Sequence, residues 1–542
     1  MRHNKYLLLF SSLGVLLLLI AAAVDENFWK PWRVLQASAR SGDVGIPVQL
    51  RQITNTNLRV ADRCVSCHVS MAPGEKAVTG AAILVPHKPV VHDPAEYGCT
   101  VCHGGQGSAT EKADAHGTVH FWPEPMIPAR FAEAGCGTCH NALGIPNRDA
   151  FEKARLAFER LDCRACHRVD NRGGTIRPGG GGMEGPDLSR AGIAGYDKGW
   201  YEKHVKKPEF GKVDTADLEL VATFLATRVG APALVEAKAT FLSFGCLGCH
   251  RVSGVGGDEG PDLSRAGEKD PGQADFTHVA GGGTHPELAN WIAEHFRSPV
   301  AVVATSAMPP VSASPKEIDA LTMYVLSLRR RELPGTYVPR DRMQSTRFGV
   351  REFAVDGATL FGAFCAGCHG SEGLGKHAPG GTTFPAIANP DFLALVSDEF
   401  LAGTIGKGRP GRRMPGWAKD GGLRTEEITR IVSHLRALGG VPEAKPAAWK
   451  ATANPETGRT LYAANCAGCH GAKGEGGKGP ALNNQELLKL APDTYLLETI
   501  SRGRSDTAMG GFAEASPTRR GLARTEMESI VAFIRAWQGG RK

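Results

Sequence analysis

The sequence predicts a mainly α protein: a string of small helical units with long loops, preceded by a compact region of little regular structure and by one apolar N-terminal helix. Three observations predict it. Gly (68) and Pro (34) are plentiful among 542 residues, which favours short helices joined by ordered loops over an extended sheet. Beyond the N-terminus the apolar runs are short, so any core is divided among small units that need a staple or a cofactor to be stable. The chain also repeats itself, and each repeat ends in an amphipathic helical pattern. Hydrophobic content of 42% and charged content of 22% are ordinary for a folded chain.

The first element is the apolar run from Tyr6 to Val24, long enough to cross a bilayer as a helix. Arg2 and Lys5 precede it, Asp25 and Glu26 end it, and Phe28, Trp29 and Trp32 follow, as suits an outer interface with the basic residues inside. Residues 1–24 are read as a transmembrane anchor. The alternative is a cleaved signal peptide, with Ala21, Ala22 and Ala23 as the small-residue cleavage site. Both readings place residues 25–542 across the cytoplasmic membrane, in the periplasm or another extracytoplasmic space.

The cysteines decide the chemistry. All 14 fall in C-x-x-C-H motifs: Cys64/Cys67/His68, Cys99/Cys102/His103, Cys136/Cys139/His140, Cys163/Cys166/His167, Cys246/Cys249/His250, Cys365/Cys368/His369 and Cys466/Cys469/His470. Two thiols three positions apart reach the two vinyl groups of one haem and form thioethers, and the adjacent His points at the iron. Zinc sites or a disulfide scaffold are the bland readings; the His after every second Cys, with no Cys left over, argues against both. The expectation is seven haem c groups. Each haem brings two propionates, so the formal charge of +7 is no signal for nucleic acid. Arg329, Arg330 and Arg331 read as a solvated helix end.

The repeats come in two pairs. Residues 151–229 and 234–329 share Glu-Gly-Pro-Asp-Leu-Ser-Arg-Ala-Gly at 184–192 and 259–267, and Trp200, His204 and Pro208 match Trp291, His295 and Pro299. Residues 353–439 and 455–539 form the second pair, in which Gly357, Leu360, Ile405, Gly408, Arg409 and Met414 match Gly458, Leu461, Ile500, Gly503, Arg504 and Met509. Ile428, Ile431, Val432, Leu435 and Leu438 give one apolar stripe at helical spacing. Thr425 reads as an N-cap and Thr525 with Glu528 as a capping box. Pro- and charge-rich segments 330–352 and 440–454 read as linkers. The domain boundaries expected are 25–149, 150–230, 231–335, 350–440 and 453–542.

The four repeats resemble class I cytochrome c domains: a helix ending in C-x-x-C-H, a Gly-Pro segment, a loop Met and a C-terminal helix. The resemblance implies that Met308, Met414 and Met509 are sixth ligands opposite His250, His369 and His470; Met509 departs slightly in being followed by Gly510 rather than Pro. It also implies that the segments at Pro186, Pro261, Pro385 and Pro480 steady the proximal histidines. Residues 60–140 differ, with three motifs and little room for a core. They resemble dense multihaem cytochromes with His/His ligation, for which His87, His92, His116 and His120 are spare, and the stretch from Gly98 to Gly107 resembles trihaem cytochromes that accompany quinol-oxidising membrane complexes.

At Cys163/Cys166/His167 the pattern breaks. The segment from Pro208 to Thr215 lacks the Met-bearing loop found between Pro299 and Pro315, and Met183 sits just before the Gly-Pro segment, which the resemblance implies lies on the proximal side. His204 is not expected to be the ligand, because its counterpart His295 lies in a repeat that already has Met308. A ligand from outside the repeat, His87 or His120, or a five-coordinate iron are the two options.

The functional expectation is an electron-transfer cytochrome with no catalytic residues. It would take electrons from a quinol-oxidising complex of cytochrome b/Rieske type and deliver them to a soluble carrier or a terminal oxidase or reductase. A multihaem reductase or peroxidase with one open iron, and a structural cytochrome filament, are the competing classes.

Overall fold

The computed structural model describes residues 2–71, 78–87, 90–119, 122–174, 185–194, 198–205, 213–280, 287–377, 383–443, 445 and 449–539. These fall into two compact units, one of residues 1–141, 267–294 and 326–342 and the other of residues 142–266, 295–325 and 343–542. The fold is mainly helical: among the described residues the strands form five two-stranded antiparallel ribbons.

In the first unit the apolar run is a helix, Arg2–Val24, whose leucines are exposed along its length. It is long and apolar enough to cross a membrane. A π-helical turn, Asp25–Trp29, and a helix begun by a proline, Pro31–Ser38, follow. Lys30 ties this junction down, with its ammonium 2.8 Å from Asp25 and 3.1 Å from Glu111. Beyond it, backbone order rests on buried polar side chains more than on regular elements. Gln36 is fully buried: its amide nitrogen donates to the Ser66 carbonyl at 2.7 Å, while its oxygen accepts from the Gln49 N–H at 2.8 Å and the Arg51 guanidinium at 2.7 Å. Such a network is stable only because every partner is satisfied.

In the second unit each repeat pairs an early helix with a late one. The pairs are Arg148–Arg160 with Thr215–Ala226, Pro232–Ser243 with Pro315–Ser327, Gly357–Phe364 with Thr425–Gly439, and Pro455–Asn465 with Arg524–Arg535. Aromatic contacts join them: Phe158 lies 4.8 Å from Phe224, Phe241 4.5 Å from Tyr324, and Tyr462 5.5 Å from Phe533. Ile428, Ile431, Val432 and Leu435 are buried, as their spacing requires.

Three local expectations need correction. The final helices of the last two repeats are capped by Arg424 and Ala523, not by Thr425 and Thr525. In each, the Glu three residues on accepts the backbone N–H of the cap residue, Glu427 from Arg424 at 2.8 Å and Glu526 from Ala523 at 2.9 Å. The reach of that carboxylate sets the boundary, and the threonine hydroxyls do not. The 330–352 segment is more than a linker, since it holds a helix, Arg340–Phe348. Arg329–Arg331 are half-buried, with Arg329 bonded to the Leu326 carbonyl and Arg331 to that of Leu58.

Candidate haem-attachment sites

All seven motifs fold alike. The carbonyl of the first Cys accepts the N–H of the His, at 2.9 Å in Cys64/His68 and Cys99/His103, 2.8 Å in Cys136/His140, and 3.0 Å in Cys163/His167. The last three repeat it at 2.9, 2.9 and 3.0 Å. The same carbonyl accepts the N–H of the second Cys in each motif. This tight turn puts both thiols and the imidazole on one side of the backbone. None of the 14 cysteines is in a disulfide, and among the described residues no group of three or more His, Cys, Asp or Glu is arranged to hold a metal ion by itself. The zinc and disulfide readings therefore find no support in the geometry.

One attachment cysteine departs from the rest. Cys469 is exposed, whereas every other cysteine is buried or half-buried. Cys466 is buried and its partner is at the surface. The corresponding second cysteines of the two preceding motifs, Cys249 and Cys368, lie within hydrogen-bonding reach of each other and are half-buried. Cys469 sits in the last motif of the chain, on a short helix, Ala467–His470, with exposed Gly468 beside it. Its turn is nonetheless the same as the others, with the Cys469 N–H 3.2 Å from the Cys466 carbonyl. A thioether there would lie at the solvent edge of its domain.

The second-unit histidines share one further contact. Nδ1 of His167, His250, His369 and His470 lies 2.8, 2.9, 2.8 and 2.8 Å from the carbonyl of Pro186, Pro261, Pro385 and Pro480. An Nδ1–H donated there fixes the tautomer and leaves Nε2 as the metal-facing nitrogen. The residue before three of those prolines must be small. A Cβ on Gly185, Gly260 or Gly479 would run into the ring of His167, His250 or His470.

In the first unit the partners differ. His140 Nδ1 is 3.0 Å from the Asp341 carboxylate. The histidines also face one another: His87 and His103 have ring centres 6.1 Å apart with planes at 68°, and His92 and His140 6.0 Å apart at 22°. His116 stands near enough to His68 to add charge repulsion to the burial that lowers the His68 pKa. With metal–imidazole bonds of about 2.0–2.1 Å and the ring centre roughly 1.1 Å beyond each nitrogen, two imidazoles on opposite sides of one iron have centres about 6.2 Å apart. The observed separations fit a haem iron between each pair.

Burial sets the protonation of the site. It lowers the pKa of His68, His103, His369 and His470, so they are neutral and competent to ligate. It raises the thiols of Cys102 to about 11 and of Cys136, Cys246 and Cys365 to about 12.

The three candidate Met ligands are half-buried in loops before the final helices. Met414 and Met509 occupy one and the same turn: the Arg409 N–H donates to the Met414 carbonyl at 2.9 Å and the Arg504 N–H to the Met509 carbonyl at 2.7 Å. Met308 lies between Pro299–Val302 and Pro315–Ser327. His120 and Met183 lie outside the described residues.

Neighbouring motifs approach closely. The thiols of Cys64 and Cys99 are within hydrogen-bonding reach of each other, as are those of Cys249 and Cys368. The backbones of Gly245 and Gly367 touch, so a Cβ on either would overlap the other strand of chain.

Sequence reasoning misses three residues. Asp62, buried, accepts the N–H of Cys99 at 2.5 Å, the N–H of Thr100 at 2.8 Å and the Thr100 hydroxyl at 2.8 Å, and so orients the second motif. Asp341 lies in a segment that reads as a linker. His204 is not expected to ligate, yet its ring centre is 5.9 Å from that of His167.

The mainly α repeats and these attachment turns define a multihaem cytochrome of the c type. Known families agree: residues 234–329 and 455–538 match "Cytochrome c", and residues 353–435 match "Cytochrome C oxidase, cbb3-type, subunit III". Among curated proteins, the cbb3-type cytochrome c oxidase subunit FixP of Bradyrhizobium diazoefficiens is 33% identical over 34% of this chain and 61% of its own length. Subunit CcoP of Azospirillum sp. strain B510 is 31% identical over 34% of this chain and 62% of its own. The chain thus spans about three fifths of the length of these relatives. A chain of the Kuenenia stuttgartiensis reducing HAO-like protein complex aligns at TM-score 0.24 and 19% identity over 34% of this chain and 95% of that one, too distant to carry an argument.

Proposed function

We propose that the protein is a membrane-anchored heptahaem wire of a respiratory chain. It takes electrons from a quinol-oxidising membrane complex at its N-terminal trihaem region and delivers them through its C-terminal domains to a soluble carrier or a terminal oxidase. The observation that carries this reading is that facing side chains accompany two of the motif histidines, His87 with His103 and His92 with His140, at a spacing that would suit two imidazoles on one iron and so close it to substrate. Closed irons move electrons and leave no vacant position for a reductase or peroxidase reaction.

Haem iron, once attached, supplies one-electron chemistry; the chain supplies position and potential. As sixth ligands, Met308, Met414 and Met509 would raise the potential of the later sites, and paired histidines would lower that of the early ones. Electrons therefore run downhill away from the anchor. The close approach of Cys64 to Cys99 and of Cys249 to Cys368 supports short transfer steps within each unit. The similarity to cbb3 oxidase subunits favours a respiratory membrane complex as partner.

Optical redox titration of the full chain in detergent tests the reading. At least two groups of haems should separate, with the Met-ligated group at higher potential. A single transition shared by all haems contradicts it. The protein should also stay with the membrane fraction after a high-salt wash; a mature N-terminus at Val24 refutes the anchor.

A further inference from the structure

The first helical repeat lacks the loop that brings a Met to the other three, yet it keeps a helix where that loop would begin. His204 lies on this helix, Lys198–Val205. Its ring centre is 5.9 Å from that of His167, with the planes at 64°. The separation matches those of His87 with His103 and His92 with His140, and approaches the spacing of two imidazoles on one iron. His167 has its Nδ1 engaged by the Pro186 carbonyl at 2.8 Å, so only Nε2 is available to an iron. Trp200, one turn earlier, lies nearly parallel to the His204 ring at 11°, with ring centres 6.1 Å apart. His87, one of the two outside candidates, already faces His103.

We propose that His204 is the sixth ligand of the haem carried by Cys163 and Cys166, making it a His/His site inside a domain built like a His/Met one. The site is neither open nor completed from another region. Two histidines in place of His and Met give this haem a lower potential than those opposite Met308, Met414 and Met509. It then belongs energetically with the trihaem region, and the step up in potential falls between the first and second repeats. The ring planes at 64° further make it a low-spin ferric site of the highly anisotropic, large-gmax type, unlike the His92/His140 site, whose nearly parallel planes give a rhombic signal.

The inference rests on haem attachment at Cys163 and Cys166, which is tested separately. Cys163→Ala with Cys166→Ala should remove one haem per chain; an unchanged haem-to-protein ratio sinks the attachment itself. With attachment intact, the dithionite-reduced wild-type protein should bind no carbon monoxide at this haem. His204→Ala should keep its haem and gain carbon monoxide binding equal to about one-seventh of the total haem, with loss of large-gmax intensity in the ferric spectrum. His204→Met should close the site again and enlarge the near-infrared Met-to-iron band by about a third; it also carries the test should the Ala variant fail to fold. His295→Ala, at the matching position of the second repeat, should open no site. A wild-type protein that binds carbon monoxide at this haem overturns the proposal. So does a His204→Ala protein of unchanged haem content with no new binding, a Met variant with no added band, or an equal effect from His295→Ala.

Discussion

Asp341 and the prolyl carbonyls act on the same atom of equivalent histidines with different strength. A carboxylate on Nδ1–H makes an imidazole a better electron donor than a carbonyl does. The His140 haem should therefore have a potential depressed by Asp341, 3.0 Å away. Asp341→Asn keeps the shape and removes the charge, so that haem's potential should rise in a redox titration while its spectrum stays low-spin. At the other end, Met414→Ala should weaken the near-infrared band of Met-ligated ferric haem by about a third, since three such sites are inferred. An unchanged band would mean that Met414 only packs. The motif residues were legible because covalent attachment imposes a fixed spacing on them. The exposure of Cys469 was not, because seven C-x-x-C-H motifs of one spacing give no sign of which one lies at the surface. Asp62 and Asp341 were not legible either, because a buried carboxylate reaching backbone or a ring across dozens of residues leaves no local pattern.

The last two repeats show how one helical arrangement is held by one arginine. Arg436 donates to the carbonyls of Leu393 at 2.6 Å and Val396 at 2.7 Å and lies 2.9 Å from Asp398. Arg535 repeats the arrangement with the carbonyls of Leu488 and Ala491 and with Asp493. Arg436→Ala leaves two part-buried carbonyls unsatisfied and should destabilise its domain by about 2–3 kcal/mol, read from denaturant unfolding of the full chain. At this scale the amphipathic final helices were legible from their periodicity. Their exact starts were not, because the glutamate that reaches back to the cap competes with the nearby hydroxyl and wins. The helix Arg340–Phe348 was also missed: it has no apolar stripe, and its stretch of arginines and polar residues reads as linker.

Across the whole molecule, seven attachment turns share one backbone geometry while their surroundings differ. The first unit has histidine neighbours and polar networks, and the later repeats have prolyl carbonyls and half-buried methionines. That division was legible from motif spacing, because three motifs crowded between Cys64 and His140 leave little room for a core. The pairing of particular histidines was not, since it depends on how loops fold around the motifs. The central claim is that every cysteine pair carries a haem, and the stoichiometry of covalent haem tests it most directly. Fully matured protein, extracted with acid–acetone and assayed as pyridine haemochrome against protein mass, should retain seven haems per chain, one for each Cys pair among the 14 cysteines. Six or fewer would contradict the account.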